Sequence, residues 1–269
     1  MPELPEAEAA RARIARGALN RTIERIDLGE VSHMELPDDA ARKRLIGTQL
    51  TRTHRHGKYI FVGSVTGPWL HIHLGMAGSI RICEAGADLP KYVRLTIVFE
   101  GNTRLHFRDP RKFGHIEVVE DVDAFIADKG LGPDALTIGD NAFAATIGAT
   151  RGAVKSALLS QQKLAGVGNL WADEALFRSG IHPEARACDL GSDRIQSLHS
   201  AVTSTLQAVV DTDATYSKLP EDWLIHRRED GAACTRCDGT ITKKTVGGRT
   251  SYHCPDHQVG VSNPAQAQS

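Results

Sequence analysis

The sequence predicts an α+β fold in which a helix and an N-terminal antiparallel β-sandwich precede a helical domain and a C-terminal zinc β-hairpin. Seven short apolar runs follow one another between residues 49 and 119 without intervening helices, which is typical of sandwiches and barrels. From about Val122 the segments have helical residue choice instead. Two cysteine-containing pairs near the C-terminus have the spacing of metal ligands.

The first predicted helix covers residues 5–19, where Ala, Arg, Glu, Leu and Ile dominate. Gly, Pro and Asn separate the predicted strands, which cover residues 49–55, 59–62, 69–74, 79–83, 94–99, 103–107 and 115–119. Later helices are predicted at residues 122–129, 142–150, 151–162, 170–179 and 193–210. We therefore expect an N-terminal sandwich domain over residues 1–130, a helical domain over 131–222, a zinc hairpin over 223–262 and a disordered tail over 263–269.

The amino-acid composition indicates a globular protein. Hydrophobic residues make up 41% and charged residues 24% of the 269 residues, as in ordinary globular proteins. No apolar run approaches the roughly 18 residues of a membrane span, and the N-terminus does not resemble a signal peptide. We expect a cytoplasmic protein that does not bind membranes.

The net charge of -1 conceals an uneven distribution. Residues 51–115 carry ten Lys or Arg against four acids, whereas residues 116–140 carry seven acids and one Lys. A basic segment of this kind indicates a phosphate-binding face, although a solvated surface has the same composition.

The C-terminal pairs are Cys234 with Cys237 and Cys254 with His257, separated by sixteen residues. Each two-residue gap allows a tight knuckle, and the insert contains hairpin chemistry at Gly247. The pattern predicts one structural Zn²⁺, with cysteines that bind no metal as the alternative.

The segment over residues 163–183 contains a turn at Gly166 and Gly168, followed by Asn169 and an apolar helical run. A helix that begins in this way can bind a phosphate at its amides. An ordinary helical hairpin is the alternative.

The N-terminus offers a second chemistry. Removal of Met1 would leave Pro2 as a secondary amine, which is a possible nucleophile, and Glu3 and Glu6 lie beside it on one side of the first helical turn. The alternative is that the proline only begins a helix, whose dipole the two acids favour.

Six segments together resemble the formamidopyrimidine-DNA glycosylase and endonuclease VIII family, and its formamidopyrimidine branch more closely. They occur in the family's order from residue 2 to residue 257, so the resemblance covers nearly the whole chain. The segments are PELPE at 2–6, HRHGKY at 54–59, HLGM at 73–76, DPRKFG at 109–114, AGVGN at 165–169 and the zinc hairpin.

The resemblance implies a bifunctional DNA glycosylase and abasic-site lyase with its active site in a cleft between domains and a helix-two-turn-helix in the helical domain. In that family the amine of Pro2 attacks the sugar and forms an iminium. Glu3 acts as acid and base, and Glu6 assists by positioning. Lys58 contacts phosphate and supports catalysis.

The resemblance also implies a partner, double-stranded DNA that contains oxidised bases or abasic sites, bound by a monomer in the bacterial cytoplasm and nucleoid. Three side chains fill the void that the extruded base leaves: Met76, Arg111 and Phe113. Further DNA contacts come from His73, Lys155, Asn169 and Arg249. The zinc ligands are Cys234, Cys237, Cys254 and His257.

Two departures from the family pattern bear on function. His257 stands where the family usually has Cys, and the linker over residues 211–234 replaces a longer loop that closes over flipped 8-oxoguanine. Oxidised purines are the expected substrates, and oxidised pyrimidines remain an alternative. Two other classes are a noncatalytic damaged-DNA-binding protein, which has no use for Pro2, Glu3 and Lys58 together, and a small-molecule isomerase, which has no use for the zinc hairpin.

Overall fold

The computed structural model describes residues 1–65 and 67–260, so the predicted tail over 263–269 lies outside the described residues. Contacts group the chain into two compact units, Met1–Gly130 and a second unit that begins at Leu131. Within the described residues, every helix is too short or too polar to cross a bilayer.

The first unit consists of a helix and two antiparallel sheets. Helix α1 covers Leu4–Gly17, and the five-stranded sheet has the order β2-β1-β7-β8-β6. Its strands are β1 (Arg21–Leu28), β2 (Gln49–Leu50), β6 (Ser79–Glu84), β7 (Val93–Phe99) and β8 (Thr103–Arg108). The four-stranded sheet has the order β3-β4-β5-β9, with β3 (Arg52–His56), β4 (Tyr59–Gly63), β5 (Trp69–His73) and β9 (His115–Val119). The short helices α2 (Asp39–Leu45) and α3 (Val122–Asp128) complete the unit.

One hydrophobic core joins these elements. Ile60 and Ile72 from the four-stranded sheet pack in the same cluster as Ile97 and Phe107 from the five-stranded sheet, which makes the unit a sandwich. Helix α1 contributes Ala7, Ala10 and Ile14 to this core, at the three- and four-residue intervals of one helical face, and Ala18, which caps its C-terminal end, joins them. The predicted α+β class with an N-terminal antiparallel sandwich is confirmed.

Two elements of this unit were not predicted from the sequence. In β1 a bulge between Ile23 and Arg25 shifts the register, so that Ile23 and Ile26 are both buried and the alternation expected of a strand is lost. Helix α2 buries only Leu45, so it has no apolar stripe that a periodicity search detects.

The second unit is helical and ends in a β-hairpin. Its helices are α4 (Asp140–Phe143), α5 (Val154–Leu159), α6 (Asn169–Arg178) and α7 (Gly191–Asp211). A π turn at Ala144–Gly148 continues α4, where one α-helix was predicted. The helix predicted over residues 151–162 is shorter, because Ala153 pairs with Arg186 as an isolated bridge and Ser160 is extended.

The hairpin consists of β10 (Thr242–Val246) and β11 (Arg249–His253). Val246 pairs with Arg249 across a two-residue turn in which Gly247 and Gly248 both have positive φ. Glycine adopts that backbone readily, which explains the Gly-Gly pair at this tight turn.

Candidate active site and nucleic-acid interface

The N-terminal acids form the start of α1. The backbone amide of Glu3 donates to Oε2 of Glu6 at 2.7 Å, and the Glu3 side chain accepts from the Glu6 amide in return. This reciprocal capping box leaves Glu3 only 1% exposed, next to the half-buried Pro2. The structure therefore holds a buried carboxylate on the residue that directly follows Pro2, whose nitrogen a trimmed chain would present.

Lys58 lies in the two-residue turn between β3 and β4, where Gly57 has a φ of +56° and His56 pairs with Tyr59. His73 ends β5 and pairs with Tyr59 across the sheet. Burial lowers the pKa of His73 to about 4, and the nearby charges of His115 and Lys58 add to this effect. Lys58 and His73 thus lie close together, and the imidazole is neutral near pH 7.

Asp109 organises the loop that carries Arg111 and Phe113. Its side chain is fully buried and accepts from the amides of Arg111 at 3.0 Å and Gly114 at 2.7 Å. The buried guanidinium of Arg94 donates to the Asp109 carbonyl at 2.8 Å. These bonds hold the loop in one conformation.

The loop of Asp109 packs against the turn that carries Met76. Gly75 has a φ of +58°, and a Cβ atom there would lie 2.4 Å from the backbone of Phe113 and of Gly114. Only glycine permits this close approach. Met76 is 37% exposed and Phe113 is 59% exposed. The two turns, whose backbones are in contact, therefore both present an apolar side chain to solvent.

Arg111 completes this group. It is exposed, and its guanidinium lies 5.3 Å from the centre of the Phe113 ring, within cation–π distance. The structure thus brings together the three side chains for which void filling was predicted. Exposed apolar side chains that cluster in this way usually mark a surface that binds a partner, whereas single scattered ones are common on any protein surface.

In the second unit, Asn169 is the first residue of α6 and follows a turn that Gln161 holds. The Gln161 side chain donates to the carbonyl of Val167 at 2.9 Å and accepts from the amide of Gly166 at 3.0 Å. The buried Oδ1 atom of Asn169 has no hydrogen-bond partner among the described residues. This oxygen only accepts, so a phosphate contact from Asn169 requires its side-chain NH2 group or the backbone amides at the start of the helix.

Lys155 occupies a place that the sequence does not reveal. We expected it to contact DNA, but its side chain is fully buried, with Nζ 2.7 Å from Asp173 and 2.8 Å from the carbonyl of Thr250. Asp173 also accepts from Arg228 at 2.6 Å and from the Ser251 hydroxyl at 2.8 Å. The charge of Lys155 is thus used inside the unit, where it ties α5 and α6 to strand β11.

Arg249 is the first residue of β11, next to the glycine turn, and it is exposed. A Cβ atom on Gly247 would lie 2.2 Å from the Ser156 hydroxyl, so the turn packs closely against α5. The next three residues of β11 are all held by the buried ion pair of Lys155 and Asp173. The Thr250 carbonyl accepts from Lys155, and the Ser251 hydroxyl and the Tyr252 amide donate to Asp173. Arg249 therefore extends from a well-anchored strand.

Three cysteines could hold a metal ion. The thiol groups of Cys234, Cys237 and Cys254 all lie within 4.8 Å of one another, and the sulfurs of Cys237 and Cys254 are 3.5 Å apart. Backbone amides of Arg236 and Gly239 donate to the Cys234 and Cys237 sulfurs, both at 3.4 Å. Such amide bonds favour the thiolate form that binds metal.

His257 lies outside that group of three thiols. Its Nε2 atom is 2.7 Å from the carbonyl oxygen of Phe177 and its ring packs against the Phe177 ring. A carbonyl only accepts, so Nε2 carries the proton and Nδ1 keeps its lone pair. This arrangement is common for zinc-binding histidines.

Three residues with positioning roles were missed in the sequence. Asp109, Gln161 and Asp173 each accept from backbone or side-chain groups that shape a predicted site, as described above. For Asp109 and Gln161 the partners are local, and the Asp-Pro and Gly-rich turns beside them are detectable signals. For Asp173 the partners Arg228, Ser251 and Tyr252 are 55, 78 and 79 residues away, so no local pattern indicates its role.

Glu174, beside Asp173, gives a pH-dependent contribution to stability. Burial raises its pKa to about 7 from 4.5, although the amides of Leu224 and Ile225 donate to it. The folded state thus binds this proton more tightly than the unfolded chain, so the contribution is present below pH 4.5 and is lost as the pH rises to about 7.

The Glu174→Gln variant should remove this dependence, because its amide is neutral at every pH tested. Its single carbonyl oxygen replaces only one of the two acceptor oxygens, so the variant loses one backbone bond equally at all pH values. Between about pH 5 and about pH 8, wild type should lose up to about 3 kcal/mol relative to the variant in urea unfolding. Glu229→Gln, at an exposed position, serves as the control. An identical pH profile for wild type and Glu174→Gln would show that Glu174 titrates normally.

Comparisons with known proteins cover nearly the whole chain. Residues 1–116 match the family model described as the formamidopyrimidine-DNA glycosylase N-terminal domain, and residues 130–221 match the one described as its H2TH domain. A formamidopyrimidine-DNA glycosylase of Geobacter metallireducens is 35% identical over 96% of this chain and 100% of its own length. One of Halalkalibacterium halodurans is 31% identical over 94% and 98%.

Solved structures agree with this similarity. The Lactococcus lactis formamidopyrimidine-DNA glycosylase, bound non-covalently to DNA with an AP site, has a TM-score of 0.84 and 27% identity, covering 96% of this chain and 99% of its own. The same protein in complex with FAPY-dG containing DNA also has a TM-score of 0.84, over 95% and 99%.

Proposed function

Because the chain belongs to the formamidopyrimidine-DNA glycosylase family, we propose that it removes oxidised purines from duplex DNA and cuts the strand at the abasic site through the amine of Pro2. The protein is a DNA glycosylase and lyase of base excision repair, and its partner is DNA that contains lesions or abasic sites. DNA as substrate and bacterial relatives favour a place in the bacterial cytoplasm, at the nucleoid.

The observation that carries the proposal is the buried Glu3 carboxylate beside Pro2 at the start of α1. Once Met1 is removed, the Pro2 nitrogen is a secondary amine near the positive end of a helix, which favours its unprotonated form. Its lone pair attacks the anomeric carbon, the bond from that carbon to the base breaks, and the proton on the attacking nitrogen passes to the departing base. Glu3, as the carboxylic acid, then protonates the ring oxygen as the sugar opens, which leaves a cationic iminium on Pro2.

The iminium acidifies the adjacent sugar carbon. Loss of a proton from that carbon expels the 3′ phosphate, and a second elimination expels the 5′ phosphate. Glu3, now a carboxylate, accepts and returns protons in these steps, while Glu6 holds the Glu3 backbone in place through their hydrogen bond. Hydrolysis of the iminium then frees the amine for another cycle.

Lys58 and His73 provide phosphate contacts near the reacting sugar in this proposal. Lys58 supplies a point charge from a tight turn, and His73, neutral near pH 7, supplies a hydrogen bond rather than a charge. Met76, Arg111 and Phe113 occupy the space of the extruded base: the thioether and the ring enter the stack, and the guanidinium pairs with the opposite base.

Substrate choice is tested by cleavage assays on matched duplexes. The duplexes carry 8-oxoguanine, formamidopyrimidine, thymine glycol or dihydrouracil at one position. We expect faster cleavage of the two purine lesions. Faster cleavage of the two pyrimidine lesions would support the endonuclease VIII-like alternative, which the replaced linker over residues 211–234 keeps open. No cleavage of any duplex would favour a noncatalytic DNA-binding protein.

In the second unit, we assign phosphate contacts to Asn169 and Arg249. The Arg249→Gln variant should bind damaged and undamaged duplexes more weakly by a similar factor. The slope of log affinity against log salt concentration should fall by about one, because one phosphate contact is lost. Arg186→Gln, exposed in the same unit, should leave the slope unchanged. An unchanged slope in Arg249→Gln would remove this residue from the interface.

We assign one structural Zn²⁺ to Cys234, Cys237 and Cys254, with Nδ1 of His257 as the fourth ligand. The 3.5 Å between the Cys237 and Cys254 sulfurs is close to the roughly 3.8 Å expected for two thiolates on one tetrahedral zinc. Bound zinc would stabilise the fold of the hairpin, and no reaction step depends on it.

Metal analysis tests this assignment. The purified protein should contain one zinc per chain, and chelation should loosen the hairpin and weaken DNA binding. His257→Ala should lower zinc affinity by at least about tenfold, whereas His257→Cys should retain the metal. His182→Ala is the control. Undiminished zinc affinity in His257→Ala would show that the fourth ligand is another group.

A further inference from the structure

A cluster of two histidines and a carboxylate lies on the four-stranded sheet, on the face opposite the sandwich core. His71 on β5 pairs with Glu117 on β9, and His115 precedes Glu117 by two residues and so shares its face. The intervening Ile72 and Ile116 point into the core. The pairing of the strands therefore brings His71, His115 and Glu117 together.

The distances within the cluster suit a metal ion. One potential ligand atom from each of the three residues lies within 4.8 Å of the others. Nδ1 of His71 is 3.1 Å from Oε1 of Glu117, close to the roughly 3.3 Å between two ligands of a tetrahedral ion with 2.0 Å bonds. The His71 and His115 ring centres are 5.1 Å apart.

Both imidazoles are in the form that binds metals. Burial lowers the pKa of His71 to about 2 and also lowers that of His115, so protons do not compete for their lone pairs near pH 7. His71 is fully buried, and its Nε2 atom has no hydrogen-bond partner within the described part of the chain. Without an ion, Nδ1 donates its proton to the Glu117 carboxylate. An ion bound at Nδ1 takes the place of that proton, and the imidazole stays neutral with its proton on Nε2.

Charges around the cluster are mixed. Glu117 supplies a negative charge, and Glu35 also acts on His115. The ammonium of Lys129 lies over the Phe125 ring, and its positive charge lowers the pKa of both histidines. The same charge would repel a bound cation. Phe125 packs on His71 with ring centres 4.6 Å apart and shields it from water. The two carboxylates carry one more unit of negative charge than the one ammonium carries of positive charge, and this net negative charge favours a bound cation.

We propose that His71, His115 and Glu117 form a second metal site, which binds a divalent transition ion such as Zn²⁺ or Co²⁺ with water in the remaining position. Two imidazoles and one carboxylate are a typical donor set for such ions and a poor one for Mg²⁺ or Ca²⁺. The site is separate from the cysteine cluster in the second unit and does not depend on the proposed function. His115 stacks on His73 at 5.0 Å, so a bound ion also fixes the ring beside His73.

Cobalt titration of the full chain, loaded with one equivalent of zinc, tests the proposal. We expect one further equivalent of Co²⁺ to bind with visible d–d absorption bands and without the near-ultraviolet charge-transfer bands of thiolate ligands. Glu117→Gln and His115→Gln should each weaken this binding by at least about tenfold. His226→Gln, at an exposed histidine in the second unit, should bind like wild type.

Both substitutions lie on β9, an edge strand of its sheet where neither side chain is fully buried, so thermal melting should show folded variants. If His115→Gln does not fold, Glu117→Gln decides alone. The proposal fails if wild type takes up no further cobalt, if the new bands are those of thiolate ligands, or if Glu117→Gln binds cobalt as tightly as wild type.

Discussion

Replacing Asp173 by Asn is expected to lower the free energy of unfolding of the second unit by about 3–5 kcal/mol. The substitution removes the negative charge that neutralises Lys155 while leaving that ammonium fully buried. It also weakens the bonds from Arg228 and Ser251 to the same carboxylate. The fluorescence of Trp171 and Trp223, both buried in this unit, reports its unfolding in urea.

The matched control is Asp222→Asn, which removes the same charge from a surface pair. Asp222 lies 2.9 Å from Arg236, and both side chains are about half exposed. Solvent screens such pairs, so the loss should be below about 1 kcal/mol. Equal losses for the two variants would mean that the buried ion pair contributes no more than a surface one.

Replacing Glu3 by Gln is expected to slow base removal and strand cleavage by about 10²–10⁴-fold. The Gln amide oxygen still accepts from the Glu6 amide, so the capping box persists, but the side chain no longer transfers protons. Single-turnover cleavage of an 8-oxoguanine duplex measures the effect. The melting temperature should change little, which separates proton transfer from helix stability.

Glu24→Gln on β1 is the control for this variant, because Glu24 is exposed and lies outside the proposed site. It should cleave at the wild-type rate. If Glu3→Gln retained activity within about threefold of wild type, Glu3 would act only as a helix cap, and another group would have to supply the proton.

Much of the fold and of the site can be predicted from the sequence, because the relevant signals are local. The two-residue gaps of the cysteine pairs predict the cluster of Cys234 and Cys237, and the glycines beside Met76 and Phe113 predict the turns that present them. The family resemblance, carried by six short motifs, is confirmed by both domain matches.

The remainder depends on contacts between distant residues. Lys155 looks like a surface lysine in the sequence, and its burial becomes evident only when Asp173 and Thr250, from later parts of the chain, surround it. Strand β1 is hidden by its bulge, since one extra residue breaks the alternation on which strand prediction relies. The pairing of His71 with Glu117 likewise requires the sheet register.

The central claim, that the Pro2 amine is the nucleophile, is tested most directly by trapping with borohydride. Borohydride reduces an iminium to a stable amine, which fixes the DNA to the residue that attacked it. The enzyme is incubated with an abasic-site duplex and with an 8-oxoguanine:cytosine duplex, and the attached residue is mapped by mass spectrometry. We predict an adduct on Pro2 of the trimmed chain with both duplexes. An adduct on Lys58 or another lysine, or no adduct with either duplex, would contradict the account.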